Sequence, residues 1–144
     1  MIYSTTVPTE TSYEDYPLEE GKTYYYTLVV YNTYGSNANS NVVQVDIPNY
    51  YPTPSKLDVV SVGGTVELSW TQNHDSDFNR YELYRSNSDN TLGKLMHSTS
   101  VVIETGYKDS NVEGSTTYYY TVVVYDNGGL SAKSNVKQVT TPVF

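Results

Sequence analysis

The feature that most constrains this 144-residue chain is an internal repeat. Residues 1–48 align without a gap to residues 95–142, and about 24 of the 48 aligned pairs are identical. The segment from Thr23 to Tyr31 returns almost unchanged as Thr117 to Tyr125. Because such a repeat marks one structural unit used twice, the chain must hold two copies of a single module.

The two copies differ in completeness. The second is whole and runs from about Tyr51 to Phe144, whereas the first contains only the part that matches Leu95 onward. Residues 1–48 are therefore expected to form the C-terminal half of a module. Residues 49–55 form a proline-rich linker of extended backbone, and residues 56–144 form a complete module. On this interpretation the chain is a segment of a longer array, and either upstream strands or a neighbouring subunit completes the half module.

The composition favours strands and excludes several functions. Tyrosine supplies 17 of the aromatic side chains, against 2 Phe and 1 Trp, and suits half-buried strands with a wet edge. No segment approaches the roughly 18 consecutive apolar residues of a membrane helix. A net charge of −8 without a basic cluster argues against nucleic-acid binding, and the lack of cysteine excludes disulfides and thiolate chemistry.

Apolar alternation and turn dipeptides predict about seven short strands in the second copy. Val66, Leu68 and Trp70 share one face of a strand that follows a Gly-Gly turn. The strongest segment, from Thr116 to Tyr125, is apolar or aromatic on both faces and is predicted to be a central strand. The predicted strands cover residues 57–62, 66–70, 80–85, 94–102, 104–107, 116–125 and 134–140. This spacing predicts an all-β, two-sheet sandwich.

Three features of the second copy resemble a fibronectin type III domain. One strand ends in Leu68-Ser69-Trp70, another reads Tyr81-Glu82-Leu83-Tyr84-Arg85, and the apolar Val112 stands six residues before Tyr118. The last feature is similar to the family's tyrosine corner, in which a ring hydroxyl bonds back to the backbone. The first copy repeats it with Leu18 and Tyr24. The resemblance implies a Greek-key, immunoglobulin-like β-sandwich, here preceded by a partial module, and an extracellular or cell-surface setting.

One loop places oxygen side chains at the alternate positions that wrap a calcium ion. These side chains are Asn73, Asp75, Asp77 and Asn79. An EF-hand loop needs glycine at its sixth position and glutamate at its twelfth, where this chain has Phe78 and Tyr84. The simpler interpretation is a loop in which these side chains bond to nearby backbone.

No group of residues predicts catalysis, a cofactor or a metal. His74 and His97 are the only histidines, and neither stands beside a nucleophile signature. The acidic pairs Glu14-Asp15 and Glu19-Glu20 consist of adjacent residues, which point to opposite faces of a strand and fit no shared cleft. We therefore expect a protein that is not an enzyme.

Four tyrosines are predicted to point outward, away from the core. They are Tyr25, Tyr31, Tyr119 and Tyr125. Such rings can stack on sugars or pair with a neighbouring subunit, or they can pack against their own sheet.

The sequence thus predicts a non-catalytic extracellular or cell-surface structural or adhesion repeat. It would belong to a longer array, a self-assembling filament or a surface layer. Its partners would be protein, through self-association or neighbouring modules, or polysaccharide, with no nucleic acid and no membrane insertion. The alternative is a carbohydrate-binding or spacer accessory module of a secreted polysaccharide-degrading enzyme.

Overall fold

A computed structural model describes all residues from 1 to 144. The chain contains strands, turns and extended segments, and no helix is long and apolar enough to cross a bilayer. It divides into two compact units, Met1–Asn49 and Tyr50–Phe144.

The first unit holds two small antiparallel sheets. Strand β1 (Thr23–Tyr26) pairs with β4 (Val43–Asp46), and β2 (Val29–Tyr31) pairs with β3 (Asn37–Asn39). Each sheet has only two strands, so one edge of every strand lacks a backbone partner. Isolated two-stranded ribbons are marginal in water, so this unit gains little stability from its own ladders.

The second unit is a sandwich of two antiparallel sheets. Its strands are β5 (Leu57–Val62), β6 (Thr65–Trp70), β7 (Phe78–Ser86), β8 (Lys94–Thr99), β9 (Gly106–Asp109), β10 (Thr117–Asp126), β11 (Ser131–Lys133) and β12 (Lys137–Thr140). The smaller sheet has the order β5-β6-β9. The larger sheet has the order β8-β7-β10, and both β11 and β12 pair with the other edge of β10. The all-β sandwich predicted from the sequence is confirmed.

The core lies between these two sheets. Alternation along β6 buries Val66, Leu68 and Trp70, as the sequence predicts. From the other sheet, β7 contributes Tyr81 and Leu83. Strand β10 is central, and its inward side chains are fully or almost fully buried: Tyr118, Tyr120, Val122 and Val124. Burial of such side chains supplies the main driving force for folding.

Several strand predictions are wrong in their bounds. The strand predicted over 94–102 ends at Thr99, and the one predicted over 104–107 lies at Gly106–Asp109. The sequence also predicts one last strand over 134–140, but β12 begins only at Lys137, and the short β11, which was not predicted, precedes it with a break at residues 134–136. The Ser134 hydroxyl accepts a hydrogen bond from the Val122 amide at 2.9 Å, replacing a ladder bond. The break places the Asn135 side chain against the backbone of Leu57. Asn135 Oδ1 accepts a hydrogen bond from the Leu57 amide at 2.9 Å, and Asn135 Nδ2 donates one to the Leu57 carbonyl oxygen at 3.0 Å.

Another error concerns the start of β7. The loop was expected to reach Asn79, but the strand begins at Phe78. The Phe78 ring packs on Tyr81 with their centroids 4.6 Å apart, which draws the end of the polar loop into the sheet.

Replacing Gly93 with alanine is expected to lower the free energy of unfolding by about 2–4 kcal/mol. Gly93 has a φ of +79°, and an added Cβ would lie 2.2 Å from the Arg85 carbonyl oxygen, so the backbone would have to move. Gly129 has a φ of +89° with nothing within 4 Å of its Cβ position, so Gly129→Ala serves as the matched control. We expect that control to lose only the conformational part, about 1–2 kcal/mol. Equal losses in urea unfolding would contradict the steric argument.

Candidate functional site

A buried polar group of the second unit surrounds Asp109, at the end of β9. Its side chain is 1% exposed. The carboxylate accepts hydrogen bonds from Arg85 Nη1 at 2.7 Å and from the Tyr120 hydroxyl at 2.9 Å, and its other oxygen accepts one from the Asn111 amide at 3.0 Å. The Arg85 guanidinium also lies over the Tyr118 ring, 4.8 Å from its centroid. These contacts join the two sheets across one edge of the core.

Arg85 and Asp109 form a buried ion pair. Burial raises the pKa of the Tyr120 hydroxyl well above its ordinary value, and the hydrogen bond to Asp109 adds to that rise. Burial alone would lower the pKa of Arg85, but attraction to Asp109 outweighs it and raises that pKa. A proton donor or acceptor that works near neutral pH needs a pKa near neutrality, so these shifts suit a structural role.

This network was missed by the sequence analysis, although the repeat contains a signal for it. Asp15 and Tyr26 recur as Asp109 and Tyr120, and in the first unit the Tyr26 hydroxyl donates to Asp15 at 2.8 Å. A carboxylate and a tyrosine retained at the same spacing in both copies indicate a shared contact. The arginine gives no such signal because the first copy has no counterpart of Arg85.

The predicted tyrosine corner is present in both units. The Glu113 amide donates to the Tyr118 hydroxyl at 3.0 Å, and the Glu19 amide donates to the Tyr24 hydroxyl at the same distance. Both bonds lie one residue after the apolar position that the sequence pattern marks. In the second unit this contact fixes the start of β10.

The outward tyrosines of the second unit form the best candidate for a ligand surface. Tyr119 and Tyr125 are partly buried on the face of β10 opposite the corner tyrosine. The Arg80 guanidinium lies 3.9 Å from the centroid of the Tyr125 ring, and Arg80 Nε also pairs with Glu82 at 2.8 Å. A cation on the ring face occupies the position that a sugar would need for stacking.

A neighbouring tyrosine on the same face is also engaged. The Tyr84 hydroxyl donates to the Glu82 carboxylate at 2.6 Å, and this bond is the main reason that the pKa of Tyr84 is raised far above its ordinary value. By contrast, Tyr25 and Tyr31 in the first unit are each 66% exposed. Tyr125 and Tyr84 of the second unit are thus each engaged by a charged side chain of their own sheet.

The four residues that the sequence places at calcium-loop spacing make contacts within the protein. Asp75 accepts hydrogen bonds from the Thr53 amide and hydroxyl at 2.6 and 2.9 Å and from Asn73 Nδ2 at 2.9 Å. Asn79 bonds to Asn127 at 2.9 Å, and the Asp77 carbonyl accepts from the Asn127 amide at 2.8 Å. The arrangement pins residue 53 and the loop after β10 to this segment. No group of three or more His, Cys, Asp or Glu side chains is placed to hold a metal ion.

The contribution of Asp75 to stability is expected to depend on pH. Burial by itself would raise its pKa, but hydrogen bonds from Asn73 and Thr53 outweigh burial and lower it. A carboxylate whose pKa is lower in the folded state stabilises the fold above its unfolded pKa of about 4, and that stabilisation is lost as pH falls through the folded value. Asp75→Asn should therefore flatten the fall in urea midpoint below about pH 4.

The matched control for this experiment is Asp89→Asn, which changes an exposed carboxylate in the loop after β7. That variant should keep the full acid dependence of the parent protein. An Asp75→Asn profile that runs parallel to the parent's across the same pH range would contradict the assignment.

The remaining candidate residues lie apart from one another. His74 is exposed in the polar loop, whereas His97 pairs with Glu104 at 3.0 Å and stacks on Tyr107 with ring centroids 5.0 Å apart. Glu14 and Glu19 are exposed in the first unit, where Asp15 accepts its bond from Tyr26. The structure brings no nucleophile and base together at these positions.

One shallow open cavity of about 390 Å³ lies beside β5 and β6 in the second unit. Its lining combines two lysines with the edge of the buried tryptophan: Lys56, Asp58, Ser69, Trp70, Thr71 and Lys137. Lys137 pairs with Asp58 at 3.2 Å, so one of the two cations is already neutralised.

Comparison with known proteins places this architecture. No protein-family profile matches the chain. In sequence it is 29% identical over 91 residues to an amylopullulanase from Thermoanaerobacterium saccharolyticum, a match to 63% of this chain and 7% of that protein. In structure, a fibronectin type III-like protein from Clostridium thermocellum matches 66% of this chain and 98% of its own length, at 24% identity and a TM-score of 0.54.

A second enzyme is similar to the chain in fold. Pectate lyase PelI from Erwinia chrysanthemi, solved in complex with tetragalacturonic acid, is 20% identical with a TM-score of 0.55. The match covers 60% of this chain and 28% of the lyase. The chain thus spans a small part of the enzymes that it matches. These likenesses confirm the resemblance inferred from the sequence at the level of fold: the chain contains a fibronectin type III fold.

Proposed function

We propose that this chain is a non-catalytic spacer module of a secreted polysaccharide-degrading enzyme. The observation that carries the proposal is the partial coverage of its enzyme relatives. A fibronectin type III fold that corresponds to 7% of an amylopullulanase and 28% of a pectate lyase is an accessory segment beside a larger catalytic part. This inference favours the accessory module of a secreted enzyme over the adhesion repeat. Because such an enzyme is secreted, the proposal includes an extracellular location.

The geometry of the second unit supports a spacer rather than a carbohydrate-binding module. Sugar-binding faces offer exposed aromatic rings, and here Arg80 covers Tyr125 while Glu82 holds Tyr84. The buried charges, Arg85 and Asp109, neutralise each other inside the fold. Such a unit holds its shape and presents polar loops, which is the property that a spacer needs.

The direct test is the identity of the native polypeptide. An antibody raised against this chain should capture, from the culture medium of the source organism, a protein larger than 16.2 kDa. Its peptides should include a polysaccharide-degrading catalytic domain. Capture of a cell-bound protein that lacks such a domain would refute the proposal.

The second candidate is the structural or adhesive repeat of a cell surface, with neighbouring modules or further copies as partners. The duplication itself favours it, because modules that recur within one chain build extended arrays. Sedimentation at high protein concentration separates the two candidates. Filaments or large assemblies formed by the purified chain would favour the structural repeat.

Polysaccharide retention gives a further measurable outcome. On insoluble starch, pectin and cellulose, we expect the chain to elute with the unbound fraction, with a Kd weaker than about 1 mM. The Tyr119→Ala/Tyr125→Ala variant should elute identically, because Arg80 and the sheet already engage that face. Retention of the parent protein that this variant loses would instead show a carbohydrate-binding module.

A further inference from the structure

The first unit exposes a surface whose counterpart in the second unit is buried. Leu28 and Val30 are 67% and 61% exposed, whereas the aligned Val122 and Val124 are both 0% exposed. We call this surface the open face: Leu28, Val30, Asp15, Asn41 and the unpaired edges of β1 and β2. The difference between the units is what lies on it, since in the second unit β7 pairs along β10 and β5 and β6 close the core.

The open face already has the local geometry of its buried counterpart. The Leu28 amide donates to Ser40 Oγ at 2.9 Å, as the Val122 amide donates to Ser134 Oγ at 2.9 Å. The corner bond of Tyr24 and the bond from Tyr26 to Asp15 also match those of the second unit. A surface whose backbone and polar contacts are formed beforehand loses less entropy when it is covered.

Two polar groups on the open face lack the partners of their counterparts. Asp109 pairs with Arg85, but Asp15 makes no ion pair. The Asn135 amide bonds to both backbone groups of Leu57, and the aligned Asn41 is exposed. These groups specify an arginine opposite Asp15 and a strand backbone opposite Asn41.

We propose that the open face binds a polypeptide segment with the strand pattern of residues 55–93. The segment would supply counterparts of β5, β6 and β7, add its third strand along the free edge of β1 and β2, and place an arginine on Asp15. Main-chain hydrogen bonds to a sheet edge supply affinity in such strand addition, and alternate side chains supply specificity. The occupant is specified by this same chain, because residues 55–93 cover the equivalent surface of the second unit.

A second copy of the chain is the less suitable occupant. Its own strands β5–β7 are paired, and Leu57, Leu83 and Trp70 are already buried in its core. To cover another molecule's open face, the copy would have to withdraw them and expose its own core. That exchange leaves the buried area nearly unchanged and gives no net driving force.

The experiment extends the full chain with a second copy of residues 50–94 placed directly before Met1, so that the added strands meet the open face in the register of the repeat. Hydrogen exchange is measured at the amides of residues 23–31. We expect exchange there to slow by at least about 100-fold relative to the unextended chain, with an additional cooperative transition in calorimetry. Leu28→Asp in the extended chain should abolish the protection, and Tyr34→Ala, at an exposed turn, should keep it.

Three results would overturn the proposal. Exchange at residues 23–31 could stay unchanged, both in the extended chain and when residues 50–94 are added as a separate polypeptide. A scrambled extension could protect those amides equally. The unextended chain could dimerise with the open face protected, which would assign that face to a second copy. None of these results bears on the spacer proposal, which is decided by the native polypeptide in the culture medium.

Discussion

The Asp109→Ala variant is expected to lose about 3–5 kcal/mol of unfolding free energy, a large fraction of the roughly 5–15 kcal/mol that a domain has. The substitution removes the acceptor of two short bonds and leaves the Arg85 guanidinium, which is largely buried, without its counter-charge. It also leaves the Tyr120 hydroxyl, on a fully buried residue, without its acceptor. Urea unfolding followed by the fluorescence of Trp70 reports this unit, since that residue is the only tryptophan.

Two matched variants show whether charge is responsible. Asp15→Ala removes the aligned carboxylate where no arginine is present, so we expect a loss of at most about 1 kcal/mol. Because Trp70 lies in the second unit, this loss is measured by amide hydrogen exchange at residues 23–31. Asp109→Leu combined with Arg85→Met removes both charges and should recover much of the stability, because an unpaired buried charge costs more than an absent pair. A loss below about 1 kcal/mol in Asp109→Ala would show that the pair does not hold the sheets together.

The second large effect is expected from Leu83→Ala, at about 2–5 kcal/mol. Leu83 is 1% exposed at the middle of β7, opposite Val122 of β10, and it packs in the core with buried residues of both sheets, which limit relaxation around a cavity. Leu95→Ala is the matched control on the adjacent strand, with 45% of Leu95 exposed, and should change stability by at most about 0.5 kcal/mol. Thermal and urea unfolding of the two variants measure the difference, and similar losses would contradict the assigned core.

The fold was predictable because its signals are local. Alternation over Val66, Leu68 and Trp70 marks a half-buried strand within five residues, and the tyrosine corner joins residues five apart. The break between β11 and β12 was not predictable, because Ser134 and Asn135 bond to residues on other strands. Strand bounds that depend on such distant partners leave no periodic trace in the sequence.

The polar site was predictable only in part. The repeat preserves the Asp109–Tyr120 pair, whose members are 11 residues apart, but Arg85 reaches Asp109 from a strand of the other sheet. The outward direction of Tyr125 follows from strand alternation, yet the guanidinium above its ring depends on the register between β7 and β10. The outward direction of these rings is therefore predictable from the sequence, whereas their availability to a ligand is not.

The Asn135 side chain gives the second unit a property that matters when its two ends are pulled apart. Its amide holds the backbone of Leu57, so the first strand is fastened to the chain just before β12 by two hydrogen bonds that no ladder supplies. Tension that enters at one end and leaves at the other must load this contact before it can peel β5 from β6. These two hydrogen bonds therefore resist the mechanical separation of β5 from the segment that precedes β12.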